Sequence, residues 1–172
     1  MHVMLDLETL DTSSTSLILS IGAVAFDKDE IKSEFYRIIA IDQFMVENFK
    51  ISAATLTWWF KQYDAIREFA KADCTFRDAL IDFSSYYAMC NGLALWGNGV
   101  DFDNVILANA YKVAKIDQPW KYYHNNCFRT FKNRFPGVAM SFTGVKHNAL
   151  ADARYQAEYL IELNKVNNLN IL

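Results

Sequence analysis

Hydrophobic and polar positions alternate strictly at the start of the chain, with Val3, Leu5 and Leu7 on one face and Met4, Asp6 and Glu8 on the other. This two-residue period predicts a strand over Val3 to Glu8 and points Asp6 and Glu8 the same way. Ile18 to Phe26 and Ile31 to Ala40, rich in Ile, Val, Phe and Tyr and separated by Asp27-Lys28-Asp29-Glu30, predict a hairpin. From Ser52 the period lengthens. Ser52 is a capping residue type, and Leu56, Trp59, Phe60 and Tyr63 share one helical face. A second helix is predicted over Thr75 to Met89. Leu93 to Trp96 is a short apolar strand ending at Gly97-Asn98-Gly99, after which Asp101 is placed to cap a helix through Ile106, Leu107, Ala110 and Val113. Trp120 to Tyr123 reads as extended, Cys127 to Arg134 as a helix closed by Pro136-Gly137, and the last helix runs from about Asn148 to Asn164 with Asp152 in its first turn. A meander followed by alternating helices and strands predicts an α/β chain whose central mixed sheet carries helices on both faces.

The 172 residues show no repeat, linker or charge block and read as one domain over 1–172. With 52% hydrophobic residues, six Gly and two Pro, disordered and collagen-like chains are excluded. A net charge of -3 excludes a protein that coats a duplex with a broadly basic surface, but leaves room for a nucleic-acid enzyme whose positive charge is local or supplied by metal ions. Cys74, Cys90 and Cys127 form no C-x-x-C pair, so neither a disulfide framework nor a thiolate zinc site is expected. Asp6 interrupts any signal-peptide core, and no apolar run approaches the roughly 20 residues needed to cross a bilayer. A cytoplasmic protein without a membrane partner is expected.

Four acids and a histidine stand apart. Asp6 and Glu8 share one face of an otherwise apolar strand, where like charges repel unless a cation or strong donors compensate. Hard divalent cations held by oxygen ligands are the usual compensation, and a solvated sheet edge is the alternative. Asp101 and Asp103 follow the strand-loop of Trp96-Gly97-Asn98-Gly99, where an acid gains from a helix N-terminus and needs no further role. His147 precedes the last helix and Asp152 lies in its first turn. Taken singly, a histidine beside a helix is an ordinary surface residue.

In order and type these residues resemble the three motifs of the DEDD superfamily of 3′-to-5′ exonucleases, in its DEDDh branch of DnaQ-like and RNase T-like enzymes. Asp6 and Glu8 match the first motif, Asp103 the second, and His147 and Asp152, with four residues between them, the third. The resemblance covers nearly the whole chain. It is most similar to the small bacterial and phage group, through Trp58-Trp59, the Trp-Gly-Asn-Gly loop and Cys127 to Thr130 (Cys-Phe-Arg-Thr). Similar members carry a small residue where Asp101 stands, which puts the second acid at Asp103 and leaves Asp101 as a cap.

The resemblance implies a ribonuclease H-like fold and hydrolysis of phosphodiesters by a pair of Mg²⁺ or Mn²⁺ ions. It implies that Asp6 bridges both ions, that Glu8 and Asp152 complete one ligand set and that Asp103 serves the second ion. An all-oxygen donor set suits these ions better than zinc. His147 is implied as the general base, a task suited to an imidazole, whose reference pKa is about 6.5. His2 and His124 read as packing or surface residues. Thr9 and Leu10 are expected against the terminal nucleotide. Trp58 and Trp59 are open between hydrophobic core and a base-stacking platform. Arg129, which shares a helix face with Lys132, and Lys146 are open between a solvated face and phosphate contact. The implied partner is the 3′ end of single-stranded RNA or DNA, with RNA slightly ahead, and the implied assembly is a homodimer. The alternative is a catalytically silent adaptor on the same fold.

Overall fold

The computed structural model describes residues 1–135 and 137–172. Strand β1 (His2–Thr9) pairs antiparallel with β2 (Ile18–Phe26), which pairs antiparallel with β3 (Ile31–Ile38). The chain then makes three short helices, α1 (Gln43–Asn48), α2 (Ala53–Trp59) and α3 (Tyr63–Ile66), and a 3-10 turn over Arg67–Lys71, before the long α4 (Phe76–Met89). Strand β4 (Ala94–Gly97) returns parallel to β1 and leads into α5 (Asp103–Ala114). Strand β5 (Asn125–Cys127), parallel to β4, passes directly into α6 (Phe128–Arg134), and α7 (Ala149–Asn167) follows. The five strands lie in the order β3-β2-β1-β4-β5, the predicted mixed sheet.

Strand β1 runs through the middle and its alternation divides the core. Val3, Leu5 and Leu7 pack on one face with Leu80 and Phe83 of α4 and Leu107 and Tyr111 of α5. Met4 packs on the other with Trp96, Phe128 of α6 and Ala153 and Leu160 of α7. Each fully buried Leu or Phe contributes about 1.5–3 kcal/mol, so the two-sided packing fixes the strand and its register.

Two close approaches aim the helices. Ala149, Ala153 and Ala157 recur every four residues on the buried face of α7, letting its backbone lie near the sheet. Where α7 begins, it rests on Gly22, the β2 partner of Asp6; a Cβ there would stand 2.2 Å from the Ala149 carbonyl carbon. At the end of β4, a Cβ on Gly97 would stand 2.2 Å from Asn104 Oδ1 and 3.0 Å from Asp103 Cβ. Asn104 uses its amide to bond Leu95 O (3.0 Å) and Asn125 Oδ1 (2.9 Å), pinning the start of α5 to β4 and β5.

Several boundaries differ from the predicted ones. The helix expected from Ser52 through Tyr63 breaks after Trp59, because Phe60 and Tyr63 are exposed and provide no buried stripe to continue it. Asp101 does not cap α5; Phe102 holds that position and makes no side-chain capping bond, while Asp101 lies exposed in the preceding turn. The piece expected as extended, Trp120 to Tyr123, gives a buried Trp120 and a 3-10 turn over Tyr122–His124; the pairing with β4 begins only at Asn125. Trp120 fills a space among Phe83, Tyr87 and Tyr111. Helix α7 runs three residues past Asn164, and α1 and the 3-10 turn over Arg67–Lys71 have no counterpart in the predicted elements. Of the predicted Pro136-Gly137 stop, Pro136 lies outside the described residues.

Candidate active site

The carboxyl ends of the parallel strands β1 and β4 share one edge of the sheet, the usual place for a site in an α/β fold. Asp6 and Glu8 stand on the α7 side of β1, opposite Gly22 and Ser20 of β2, and the register shifts between Glu8 and Thr9 in a bulge that ends regular pairing. From α7, Asp152 comes beside them. One carboxylate oxygen from each of Asp6, Glu8 and Asp152 lies within 4.8 Å of the other two.

Asp103, 2% exposed, enters from the first turn of α5 and accepts a hydrogen bond from the Leu7 amide at 3.1 Å. Its charge is felt by both Asp6 and Glu8. The second acid is therefore oriented by β1 itself, and the exposed Asp101 is not part of the cluster.

His147 has a left-handed backbone (φ +63°) immediately before Asn148, the cap of α7. Three bonds hold this turn. The His147 amide donates to Asp152 Oδ2 (2.9 Å), Asn148 Oδ1 accepts from Ala151 N (3.0 Å), and Asn148 Nδ2 donates to the Tyr36 hydroxyl of β3 (3.0 Å). The five-residue step from His147 to Asp152 thus has a physical cause: a carboxylate one turn into a helix reaches back to the amide just before its cap. The His147 and Trp58 rings meet in a T-shaped pair, with centroids 4.7 Å apart and planes at 82°.

Burial and mutual repulsion make the acids reluctant to ionise. Burial, then the charges of Asp103, Glu8 and Asp152, push Asp6 well above the usual carboxylate range, opposed by a hydrogen bond from Gln156. Glu8 is pushed up to about 8 by burial and by Asp152 and Asp103. Burial pushes Asp103 up to about 7, against the donors Leu7 N and Asn98 N and the charge of Arg129. Burial also raises Asp152, against the His147 amide and the charges of His147 and Lys146. Clustered carboxylates of this kind are a donor set for a hard cation, and an oxygen-only set fits a divalent ion such as Mg²⁺ or Mn²⁺.

A cleft of about 440 Å³ opens beside the cluster, lined by Leu7, Glu8 and Thr9 of β1, Thr55 and Trp58 of α2, and Phe102. Thr9 and Trp58 line it, and Trp58 remains 39% exposed. Leu10 and Trp59 are both held in the core, which for Trp59 is one of the two roles the sequence leaves open. The Leu10 side chain packs in the core at 6% exposure, and its backbone is occupied by Leu17 and Ser52. Trp59 is 1% exposed and donates its indole N–H to Thr9 O at 2.8 Å, so it braces the cleft from behind and leaves no face for stacking. Arg129 and Lys132 do not form a shared surface: Arg129 reaches the Asn98 carbonyl, while Lys132 lies over the Tyr159 ring at 5.1 Å. Lys146 is exposed and lines a second cleft of about 460 Å³ with Lys61, Tyr63 and His147. Phe102 and Gln156 escape the sequence reading. Phe102 had no signal, but a glutamine one turn beyond Asp152, among Ala153, Ala157 and Leu160, is legible as a polar break in an apolar face.

The arrangement defines a ribonuclease H-like α/β fold with an acidic site at its strand ends, the class of the DEDD-type 3′-to-5′ exonucleases. The family model of the 3′-5′ exoribonuclease Rv2179c-like domain matches residues 1–163, and the chain belongs to that family. Among solved structures it is similar to a full-length 3′-exonuclease (14% identity, TM-score 0.63, covering 96% of this chain and 60% of that one). It is similar also to exonuclease X in complex with 5′-overhanging duplex DNA (18%, TM-score 0.62, 98% and 93%) and to S. pombe Pop2p in its Mg²⁺- and Mn²⁺-bound form (12%, TM-score 0.59, 95% and 82%). The chain thus spans about 60% of the length of the first of these. No curated protein sequence matches it. Among the described residues, no helix is long and apolar enough to cross a membrane.

Proposed function

We propose that the chain removes nucleoside 5′-monophosphates from the 3′ ends of single-stranded nucleic acid, RNA ahead of DNA, with Mg²⁺ or Mn²⁺ held by Asp6, Glu8, Asp152 and Asp103. The observation that carries this reading is the convergence of Asp6, Glu8 and Asp152 within 4.8 Å beside a histidine whose amide is tied to one of them. A pair of bound ions would neutralise the phosphate, lower the pKa of water and stabilise the leaving 3′-oxygen. As the general base, His147 takes the proton from the attacking water; the bond from its amide to Asp152 and the contact with the Trp58 ring fix where the imidazole stands. Thr9, Phe102 and Trp58 line the cleft of about 440 Å³ that would take the terminal nucleotide, and a base stacked on an aromatic ring is worth about 1–3 kcal/mol without sequence preference. Lys146 and Lys61 in the neighbouring cleft supply charge for the following phosphates.

The test is a time course with 5′-labelled RNA and DNA of matched sequence, single- and double-stranded, in Mg²⁺ and in Mn²⁺, with chelator as control. Labelled products that shorten one nucleotide at a time while keeping their 5′ label, abolished by chelator, are expected. A 3′-phosphate adds about -1.5 to -2 charge beside the acids, so a 3′-phosphorylated oligonucleotide is expected to resist. Cleavage of a circular substrate, or no cleavage at all, would overturn the proposal.

A further inference from the structure

The buried face of α7 carries one feature that neither packing nor the five residues above account for. Gln156 is 4% exposed among Ala153, Ala157 and Leu160, in a place where an apolar side chain would satisfy the core. Its Nε2 donates to Asp6 Oδ1 at 2.7 Å. Its Oε1 is buried too, and among the described residues nothing donates to it. A buried amide oxygen left without a donor is costly, so its retention calls for a compensating role. Asp6 is the acid on which the charges of Asp103, Glu8 and Asp152 all bear.

We infer that Gln156 is a positioning residue for Asp6, fixing one carboxylate oxygen so that the other is presented to the cation site, with Oε1 kept for a water that a hydrated cation brings. This rests on the reading of Asp6 as a metal ligand. Outer partners of this kind orient ligating carboxylates, and losing one typically costs about 10- to 100-fold in metal affinity. The reach is specific. Helix α7 places residue 156 one turn beyond Asp152 on the same face, so the helix that supplies one ligand also orients another. An asparagine, one methylene shorter, does not span the gap to Asp6.

The experiment is calorimetric titration of Mn²⁺ into the intact chain, its Gln156→Met variant and its Gln156→Asn variant, with metal-free melting of each. The first variant keeps length and volume and the second keeps the amide, so either one that folds decides the matter. Affinity lower by about 10- to 100-fold is expected, together with exonuclease activity that falls at low Mn²⁺ and recovers when Mn²⁺ is raised. A purely structural glutamine would lower the melting temperature and leave Mn²⁺ affinity at the parent value; that result, or unchanged affinity with unchanged melting, overturns the inference. Failure of the parent itself to bind Mn²⁺ overturns the metal reading and the inference with it, and is distinguished by appearing before any substitution is made.

Discussion

Replacing Glu8 with Gln should make the metal-free protein more stable, by an amount that grows with pH. In the folded chain Glu8 holds its proton up to about 8, against an ordinary value of 4.5, because burial and the charges of Asp152 and Asp103 penalise the anion. A carboxyl with a raised folded pKa stabilises the fold fully below the unfolded pKa, and that stability is lost as pH rises through the folded value. The window is therefore about pH 4.5 to 8. A difference of about 3.5 in pKa, at about 1.36 kcal/mol each, amounts to about 5 kcal/mol. Asp103, pushed up to about 7, adds a loss of the same sign. At pH 5 the parent and Glu8→Gln should melt close together in chelator. At pH 8.5 the variant should melt about 10–20 °C higher, since each kcal/mol is worth about 2–4 °C in a chain of this size. Mn²⁺ should erase the difference by stabilising the parent alone. The measurement is thermal melting of both proteins from pH 5 to 9 with and without chelator. A metal-free parent whose stability stays level or rises over that range would refute the account of the cluster as repelling, buried carboxylates.

His147→Ala should lower the rate by about 100- to 10,000-fold while Mn²⁺ affinity, read by calorimetry, stays near the parent value; a collapse of affinity would make His147 a ligand. Asp103→Asn should lower turnover by about a hundredfold or more at saturating metal, and Asp101→Asn should leave it near normal. The reverse outcome in single-turnover assays would move the second acid to Asp101.

What was legible depended on whether a residue's role could be read from its own neighbourhood. The two-residue period of β1 is local, so the shared direction of Asp6 and Glu8 follows from the sequence, as does a last helix starting near Asn148 with Asp152 in its first turn. Leu10 and Trp59 sit beside the cleft in sequence, yet the core claims both side chains, and only the fold shows that Trp59 bonds the Thr9 carbonyl from behind. The break after Trp59 was hidden because Phe60 and Tyr63 look like a continued apolar face until their exposure is known. The cap expected at Asp101 falls instead on Phe102, because the turn after Gly99 decides which of them precedes the helix. The pairing of Gln156 with Asp6 spans 150 positions and has no local signature beyond its being polar.

Gly22 has a consequence for inheritance. It touches no substrate and carries no functional group, yet α7 can settle on β2 only because its hydrogen atom leaves room for the Ala149 backbone. A methyl group there acts as a wedge under the end of α7 that carries His147 and Asp152, and a shift of about 1 Å in reacting groups can cost about a hundredfold in rate. A random mutational survey would therefore score position 22 alongside the acids, although chemically it is silent. Lineages that keep the fold but take a side chain at this position would have to move the whole helix, and with it the nuclease.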